Sequence, residues 1–155
     1  MTRVLLTGMS GTGKSTTLSA LAELGHRVVD TDTDEWSHWV TDAEGEPDWI
    51  WREQAITDLL TGHGEGSLFV AGCKTNQVDF YPLFDHVVLL SAPAEVLLAR
   101  IAARVDNPYG KDPAERAAIL ANLELVEPLL RESATLEIDT SAPVAEVVRR
   151  LVALT

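Results

Sequence analysis

Residues 8–15 read Gly8-Met9-Ser10-Gly11-Thr12-Gly13-Lys14-Ser15, which matches the pattern G-x-x-x-x-G-K-[ST] at every fixed position. The apolar run Arg3–Thr7 before this segment is typical of a buried strand, and Lys14–Leu24 after it has the apolar spacing of a helix. A glycine-rich turn between a strand and a helix directs successive backbone N–H groups inward, around the phosphates of a nucleotide. The segment therefore predicts a nucleoside triphosphate site.

The residues of this loop have distinct expected roles. Lys14 would bring an ammonium to the β- and γ-phosphates, the Ser15 hydroxyl would be a ligand of Mg²⁺, and Thr16 would contact phosphate at the helix N-terminus. The predicted cofactors are therefore ATP, or a similar triphosphate, and Mg²⁺. The predicted ATP-binding residues of the loop are Ser10, Gly11, Thr12, Gly13, Lys14, Ser15 and Thr16.

Strand and helix patterns alternate along the rest of the chain, which predicts a parallel sheet with helices on both faces, in one domain spanning residues 1–155. The segment Asp34–Thr61 has mainly helical spacing, interrupted by a turn at Glu44–Pro47. The other predicted strands are Arg27–Asp30, Leu68–Ala71, His86–Ser91 and Leu136–Asp139, and the other predicted helices are Pro93–Arg104, Asp112–Arg131 and Val144–Leu154.

The composition restricts the kinds of partner that the protein is expected to bind. A formal net charge of −12 argues against a general nucleic-acid surface, because phosphate backbones require clustered Lys and Arg. The longest apolar runs, such as Val87–Leu90, are far too short to cross a bilayer. Cys73 is the only cysteine in the sequence, so an internal disulfide is impossible and a cytoplasmic location fits. We expect no nucleic acid and no membrane partner, and the sequence leaves the oligomeric state open.

Three acids, Asp30, Asp32 and Asp34, alternate just after the second predicted strand. Ligands of such sheets lie beyond the carboxyl ends of the strands, so these side chains should face the bound phosphates. A kinase that acts on a hydroxyl needs one acid for Mg²⁺ and one to orient or deprotonate the acceptor. We expect Asp30 and Asp32 to fill these roles and Asp34 to cap the following helix.

The order of these motifs resembles that of shikimate kinases and their relatives among the small P-loop kinases. The likeness rests on Val28–Asp32, placed at this distance after the loop, and on the tail segments Glu127–Leu130, Ala134–Thr135 and Ile138–Thr140. It implies the three-layer α/β sandwich of P-loop NTPases, with a five-stranded parallel sheet. It also implies that the chain is a phosphotransferase.

The resemblance further implies particular roles in the site. Asp30 would reach Mg²⁺ through water, and Asp32 would hold the acceptor hydroxyl and act as the base. An acceptor-binding region would span about residues 34–62, and a short lid about residues 105–112.

The sequence departs from the shikimate kinase pattern on the acceptor side. Of the glycine triplet after the third predicted strand only Gly72 remains, and Cys73 and Lys74 follow it. The arginine that would hold the acceptor carboxylate is replaced by Val126, and Arg52 is a candidate for the second one. Because a carboxylate clamp has lost a bidentate donor, shikimate is not the expected acceptor. The predicted acceptor-binding residues are Asp32, Arg52, Gly72 and Lys74.

A second likeness concerns the helix before the predicted lid. The run Leu97–Arg104 resembles the corresponding helix of nucleoside monophosphate kinases, the adenylate kinase-like branch, in which the first arginine stacks on adenine and the second contacts phosphates. Arg100 and Arg104 are four residues apart, so both can face one nucleotide. We expect both to bind ATP, Arg104 also to stabilise the transferring phosphoryl group, and Lys111 to contact the γ-phosphate.

All four tryptophans fall between residues 36 and 51, in the expected acceptor region. Trp36 and Trp39 are one helical turn apart, and the indoles could either flank an acceptor ring or pack a small helical subdomain. The leading hypothesis is a Mg²⁺- and ATP-dependent small-molecule kinase with Lys14, Asp32 and Arg104 as catalytic residues. Two alternatives remain open, a nucleoside or nucleotide kinase and an ATP-binding switch or slow ATPase with a protein partner.

Overall fold

The computed structural model describes residues 2–9, 11–103 and 112–155. A 3-10 helix at Gln77–Leu83 lies between the strands Ser67–Ala71 and His86–Ser91. Along the described residues the strands are β1 (Thr2–Thr7), β2 (Arg27–Asp30), β3 (Ser37–Thr41), β4 (Pro47–Trp51), β5 (Ser67–Ala71), β6 (His86–Ser91) and β7 (Leu136–Asp139), and the α-helices are α1 (Lys14–Glu23), α2 (Glu53–Gly62), α3 (Ala94–Ala102), α4 (Pro113–Ser133) and α5 (Val144–Val152).

Five of the strands form one parallel sheet with the order β2-β5-β1-β6-β7. This sheet confirms the predicted fold class, and each of its strands agrees with its predicted range within one residue. The direction of the chain order reverses at β1, which has β5 on one side and β6 on the other. The phosphate loop follows β1, so it lies at the position where such sheets bind ligands.

The alternation of side chains along β1 divides the core into two layers. Val4 and Leu6 are fully buried on one face, against residues of α1 and α5. Leu5 is fully buried on the other face, against residues of α2 and the 3-10 helix. Successive strand residues point to opposite faces, so an uninterrupted apolar strand fits only between two helical layers.

The segment between β2 and α2 does not have the helical structure that its spacing predicted. Its first half forms an antiparallel hairpin of β3 and β4, and only α2 is helical. The predicted turn lies at the hairpin tip, where the Asp42 Oδ1 accepts hydrogen bonds from the backbone N–H groups of Glu44 and Glu46 at 2.9 Å. Gly45 has a φ of 82°, which glycine adopts without steric cost.

The expected helix cap at Asp34 is also wrong, since no helix begins there. Asp34 lies in the turn before β3, and its carbonyl accepts a hydrogen bond from the Arg52 Nε at 2.8 Å. The spacing of Trp36 and Trp39 indicated one helical turn, yet Trp39 pairs across the hairpin with Trp49. Aromatic side chains favour strands, and cross-strand pairing outweighs the local helical pattern here.

The long helix α4 begins as its sequence predicted. The Asp112 side chain accepts a hydrogen bond from the backbone N–H of Glu115 at 2.9 Å, and Pro113 is the first helical residue. A carboxylate at this position satisfies an N–H group that the helix itself leaves without a partner. Among the described residues, no helix combines the length and the apolar composition that a membrane span requires.

Candidate active site

The loop between β1 and α1 owes its shape to close packing and to its glycines. A side chain at Gly8 would bring a Cβ within 2.4 Å of the Leu90 carbonyl oxygen, so only glycine fits against β6. Gly13 has a φ of 90° immediately before the first residue of α1. The Thr12 Oγ1 donates a hydrogen bond to the Met9 carbonyl at 2.9 Å, which closes the turn between them.

Lys14 extends back across its own loop. Its Nζ donates hydrogen bonds to the carbonyl oxygens of Gly8 at 2.5 Å and Met9 at 3.0 Å. Burial lowers the pKa of the Lys14 ammonium below its usual value, because removing a charge from water disfavours the charged form. The nearby Asp32 and Asp30 carboxylates oppose this shift. A bound polyanion would act in the same direction as the carboxylates.

Asp32 receives two hydrogen bonds from side chains that are distant in the sequence. Its Oδ1 accepts one from the Lys74 Nζ at 2.7 Å and one from the Trp49 Nε1 at 2.9 Å. The Lys74 hydrogen bond is the main reason that the pKa of the Asp32 carboxyl lies below its usual value. Lys74 is nearly buried while Asp32 remains 67% exposed, so this acid is a carboxylate that an incoming molecule can reach.

Asp30 ends β2 and stands beside Asp32. Its Oδ1 accepts a hydrogen bond from the Asp32 backbone N–H at 3.0 Å, which sets the turn that follows the strand. Asp30 and Ser15 line one cavity. A hydroxyl and a carboxylate are oxygen donors of the kind that Mg²⁺ binds, and Mg²⁺ usually takes only one or two protein ligands beside phosphates and water.

Two cavities open on this edge of the sheet and meet at three residues. The larger, of about 760 Å³, runs along the start of α1 and past Arg100 and Thr140. The smaller, of about 290 Å³, lies between the phosphate loop, the end of β2 and the end of β5. Lys14, Ser15 and Asp32 line both.

Arg100 connects the two walls of the larger cavity. Its Nη1 donates to the Gly11 carbonyl at 3.1 Å and to the Thr140 Oγ1 at 3.1 Å, and its Nη2 donates to the Thr140 carbonyl. The resemblance to nucleoside monophosphate kinases implies that this guanidinium stacks on a base, which stays a prediction. Its hydrogen bonds tie α3 to the phosphate loop and to the segment after β7.

Comparison with known proteins agrees with this geometry. A family model described as an AAA domain matches residues 4–121. A shikimate kinase of Halorhodospira halophila is 32% identical over 163 residues, which cover 97% of this chain and 91% of that protein. The chain belongs to the family of P-loop small-molecule kinases that includes the shikimate kinases.

Solved structures of such kinases share the fold. The shikimate kinase of Acinetobacter baumannii, solved in complex with shikimate, has a TM-score of 0.69 at 22% identity, over 99% of this chain and 92% of that one. A gluconokinase of Sinorhizobium meliloti has a TM-score of 0.60 at 22% identity, over 98% of this chain and 90% of that one. The three-layer sandwich is therefore the fold of this chain.

The predicted acceptor side of this P-loop kinase has close packing at Gly72. A Cβ at Gly72 would lie 2.4 Å from the Thr31 Oγ1 and 3.1 Å from the Trp51 ring, and both of those side chains are fully buried. Gly72 therefore allows β4 and the end of β2 to approach β5. Cys73 and Lys74, which follow it, line the smaller cavity with Asp32.

The remaining predicted site residues divide into one that lines neither cavity, several that line the larger cavity, and several outside the described residues. Arg52 is exposed, lines neither of the two cavities among the described residues, and donates to the Asp34 carbonyl. Thr16 lines the larger cavity, together with Gly11, Thr12 and Gly13. Ser10, Arg104, Lys111 and the predicted lid at 105–112, except for Asp112, lie outside the described residues.

Trp49 was not assigned to the site from the sequence, and it lines neither cavity itself but contacts Asp32, which lines both. The tryptophans divide into two groups, since Trp51 is fully buried and Trp36 packs against the same core cluster, whereas Trp39 is 67% exposed. The Trp49 ring contacts the Trp39 ring in a tilted arrangement, and its Nε1 donates to Asp32. A prediction of two paired strands for this segment would have brought Trp39 and Trp49 together. The apolar spacing predicted a helix instead.

Proposed function

We propose that this P-loop kinase transfers the γ-phosphate of ATP, with Mg²⁺, to a hydroxyl group of a small molecule other than shikimate. The observation that carries the proposal is the meeting of two cavities at Lys14, Ser15 and Asp32. A phosphoryl group bound at the end of the larger cavity would lie beside an acceptor in the smaller one. Such proximity is the main requirement of phosphoryl transfer.

Each residue at this junction has a chemical role in the proposal. The backbone N–H groups of the phosphate loop and the Lys14 ammonium bind the transferring phosphoryl group and stabilise its charge. The Asp32 carboxylate accepts a hydrogen bond from the acceptor hydroxyl and takes its proton as the hydroxyl oxygen bonds to the γ-phosphorus and the bond from that phosphorus to the bridging oxygen breaks, which releases ADP. Ser15, and Asp30 through water, would hold Mg²⁺, which supplies charge neutralisation between the β- and γ-phosphates.

The exclusion of shikimate rests on the charges of the smaller cavity. The described residues that line it carry the carboxylates Asp30 and Asp32 and the ammonium groups of Lys14 and Lys74. Lys74 is already paired with Asp32. Recognition of a carboxylate acceptor favours a bidentate arginine, and no arginine lines this cavity within the described part of the chain.

A panel assay tests this function directly. ADP release with Mg-ATP would be measured against polyols, amino sugars, antibiotics, nucleosides, nucleoside monophosphates and shikimate. At least one acceptor other than shikimate should raise ADP release far above the water background. Release that no acceptor raises, while ATP still shifts the melting temperature, would favour a switch or slow ATPase instead.

The variant Asp32→Asn separates transfer from binding. It should lower kcat by about 10²–10⁴-fold, because an amide cannot take the proton of the acceptor hydroxyl. The ATP-induced shift in melting temperature should remain, since Lys14 and the loop amides are unchanged. Loss of both would contradict the role given to Asp32.

A further inference from the structure

Trp39 and Trp49 form an aromatic surface on the hairpin of β3 and β4. The two residues are directly opposed across the strands, and their ring centroids lie 5.3 Å apart with an interplanar angle of 51°. Opposed residues of an antiparallel pair project to the same face. Trp39 leaves 67% of its surface exposed, although tryptophan is a largely buried residue on average.

This aromatic pair is joined to the proposed catalytic acid. The Trp49 Nε1 donates to the Asp32 Oδ1 at 2.9 Å, so the edge of one indole contacts the rim of the smaller cavity. Trp51, two residues later on β4, is fully buried against Phe80 and Phe84. The hairpin is thus anchored in the core by one tryptophan and presents the pair beside Asp32.

The hairpin and the segment that leads into it, residues 30–51, carry eight carboxylates and no lysine or arginine. The cations near it are engaged, because Lys74 pairs with Asp32 and Arg52 donates to the Asp34 carbonyl. Negative charge near an indole face favours a ligand that is uncharged or cationic, and a cation gains further attraction from the ring itself. The carboxylates of this region among the described residues are Asp30, Asp32, Asp34, Glu35, Asp42, Glu44, Glu46 and Asp48.

We infer that the acceptor is a hydroxylated ring compound without negative charge, bound more tightly when it carries an ammonium group, whose ring packs on Trp39 and Trp49. This inference rests on the proposed function and adds the class of acceptor to it. The ring face and the ammonium contact the indoles and the carboxylates, while one hydroxyl reaches Asp32. The indoles therefore take the recognition role that a carboxylate-binding arginine has for an anionic acceptor.

Two matched series of probes test the acceptor class. D-glucosamine, D-glucose and D-glucuronate share a pyranose ring, while streptamine, myo-inositol and shikimate are six-membered carbocycles. Each series runs from cationic through neutral to anionic. Binding would be measured by calorimetry and by tryptophan fluorescence in the presence of Mg²⁺ and a non-hydrolysable ATP analogue, and transfer by ADP release. Affinity should fall in that order of charge in at least one series.

Trp39→Ala is the decisive variant, because an exposed side chain can be removed without loss of the fold. It should raise the Kd and the KM of the best probe about fivefold. The kcat, the KM for ATP and the melting temperature should remain close to those of the unchanged protein. His38→Ala, on the opposite face of β3, is the matched control and should leave the acceptor KM unchanged.

The outcomes distinguish this inference from the proposed function. Transfer to an anionic probe in preference to its matched partners, or an acceptor KM that Trp39→Ala does not change, would overturn the inference and leave the kinase function intact. Absence of binding by every probe would also overturn it. Binding that depends on Trp39 without transfer to any probe would support a ring-binding site at the two indoles and would overturn the inference that such compounds are the acceptor.

Discussion

The candidate active site has two sides that are formed in different ways, the phosphate side at the loop after β1 and the predicted acceptor side at Asp32 and Lys74. On the phosphate side, Gly8–Lys14 contains both the backbone groups and the ammonium, and Lys14 donates to carbonyls of its own loop. On the acceptor side, Asp32 is held by Trp49, 17 residues away, and by Lys74, 42 residues away. The first side depends on local chain geometry, while the second depends on the packing of separate elements.

This difference indicates which side can change. A loop that binds phosphate through its own N–H groups tolerates few substitutions, because its backbone conformation is itself the binding site. A pocket made of side chains from β2, β4 and the segment after β5 can exchange them while the sheet is retained. The resemblance to shikimate kinases likewise implies a match at the loop and departures at Cys73, Lys74 and Val126.

The largest effect that distinguishes the two sides is expected in ATP binding, which depends on the phosphate side. Lys14→Ala should lower kcat by about 10²–10³-fold, the typical loss when one preorganised donor to a developing negative charge is removed. It should also abolish the ATP-induced shift in melting temperature, measured by thermal denaturation. Lys74→Ala is the matched control, since Lys74 lines only the acceptor side, and it should retain the ATP shift. Equal loss of the shift in both variants would remove the distinction between the two sides.

A smaller effect is expected from the packing of the acceptor side. Gly72→Ala should destabilise the protein by about 1–3 kcal/mol, because its methyl group would overlap Thr31 and press on Trp51. The free energy of unfolding would be measured in urea. Gly64→Ala is the control, since a Cβ there has no neighbour within 4 Å, and it should change stability by less than about 0.5 kcal/mol. Equal stability of the two variants would contradict the close approach described at Gly72.

The smallest expected effect is a change in titration. Lys74→Met should raise the pKa of the Asp32 carboxyl, because the hydrogen bond from Lys74 is the main cause of its lowered value. Asp32 acts as a carboxylate, so the acid limb of the pH profile of kcat/KM should move to higher pH in this variant. Carbon-13 NMR of the aspartate carboxyls would measure the same change.

Arg52→Met provides the control for this titration. It also removes a cation on the acceptor side, but one that donates to the Asp34 carbonyl rather than to the Asp32 carboxylate. The acid limb should therefore stay where it is in the unchanged protein. If the acid limb of the kcat/KM profile does not move in Lys74→Met, a group other than Asp32 determines that limb.

The sequence predicted the fold and the phosphate side because both follow from local patterns. Buried parallel strands appear as short apolar runs, and the loop motif has fixed spacing. The helices α1, α3, α4 and α5 agree with their predicted ranges within two residues, whereas the 3-10 helix was not predicted. These features require no knowledge of which distant residues meet.

The acceptor side was only partly predictable. Asp32 and Lys74 were both assigned to the acceptor, but their ion pair depends on β2 lying beside β5, which the sequence does not state. The spacing of Trp36 and Trp39 led to a wrong prediction of helix for this segment. Residues three apart share a face in a helix, but the same spacing also occurs where a turn leads into the first strand of a hairpin. No pattern in the sequence predicted the contact of Trp49 with Asp32, because that contact forms only when β3 and β4 make a hairpin.

The guanidinium of Arg100 has a consequence for the range of nucleotides that could fit. It spans from Gly11 to Thr140 with hydrogen bonds on both sides, so the separation of these two walls is determined by a rigid planar group. A lysine carries its three donors on one nitrogen, so it would reach both walls only where they lie closer together. The width of the larger cavity between Gly11 and Thr140 therefore depends in part on one side chain, which is separate from the residues that would perform the chemistry.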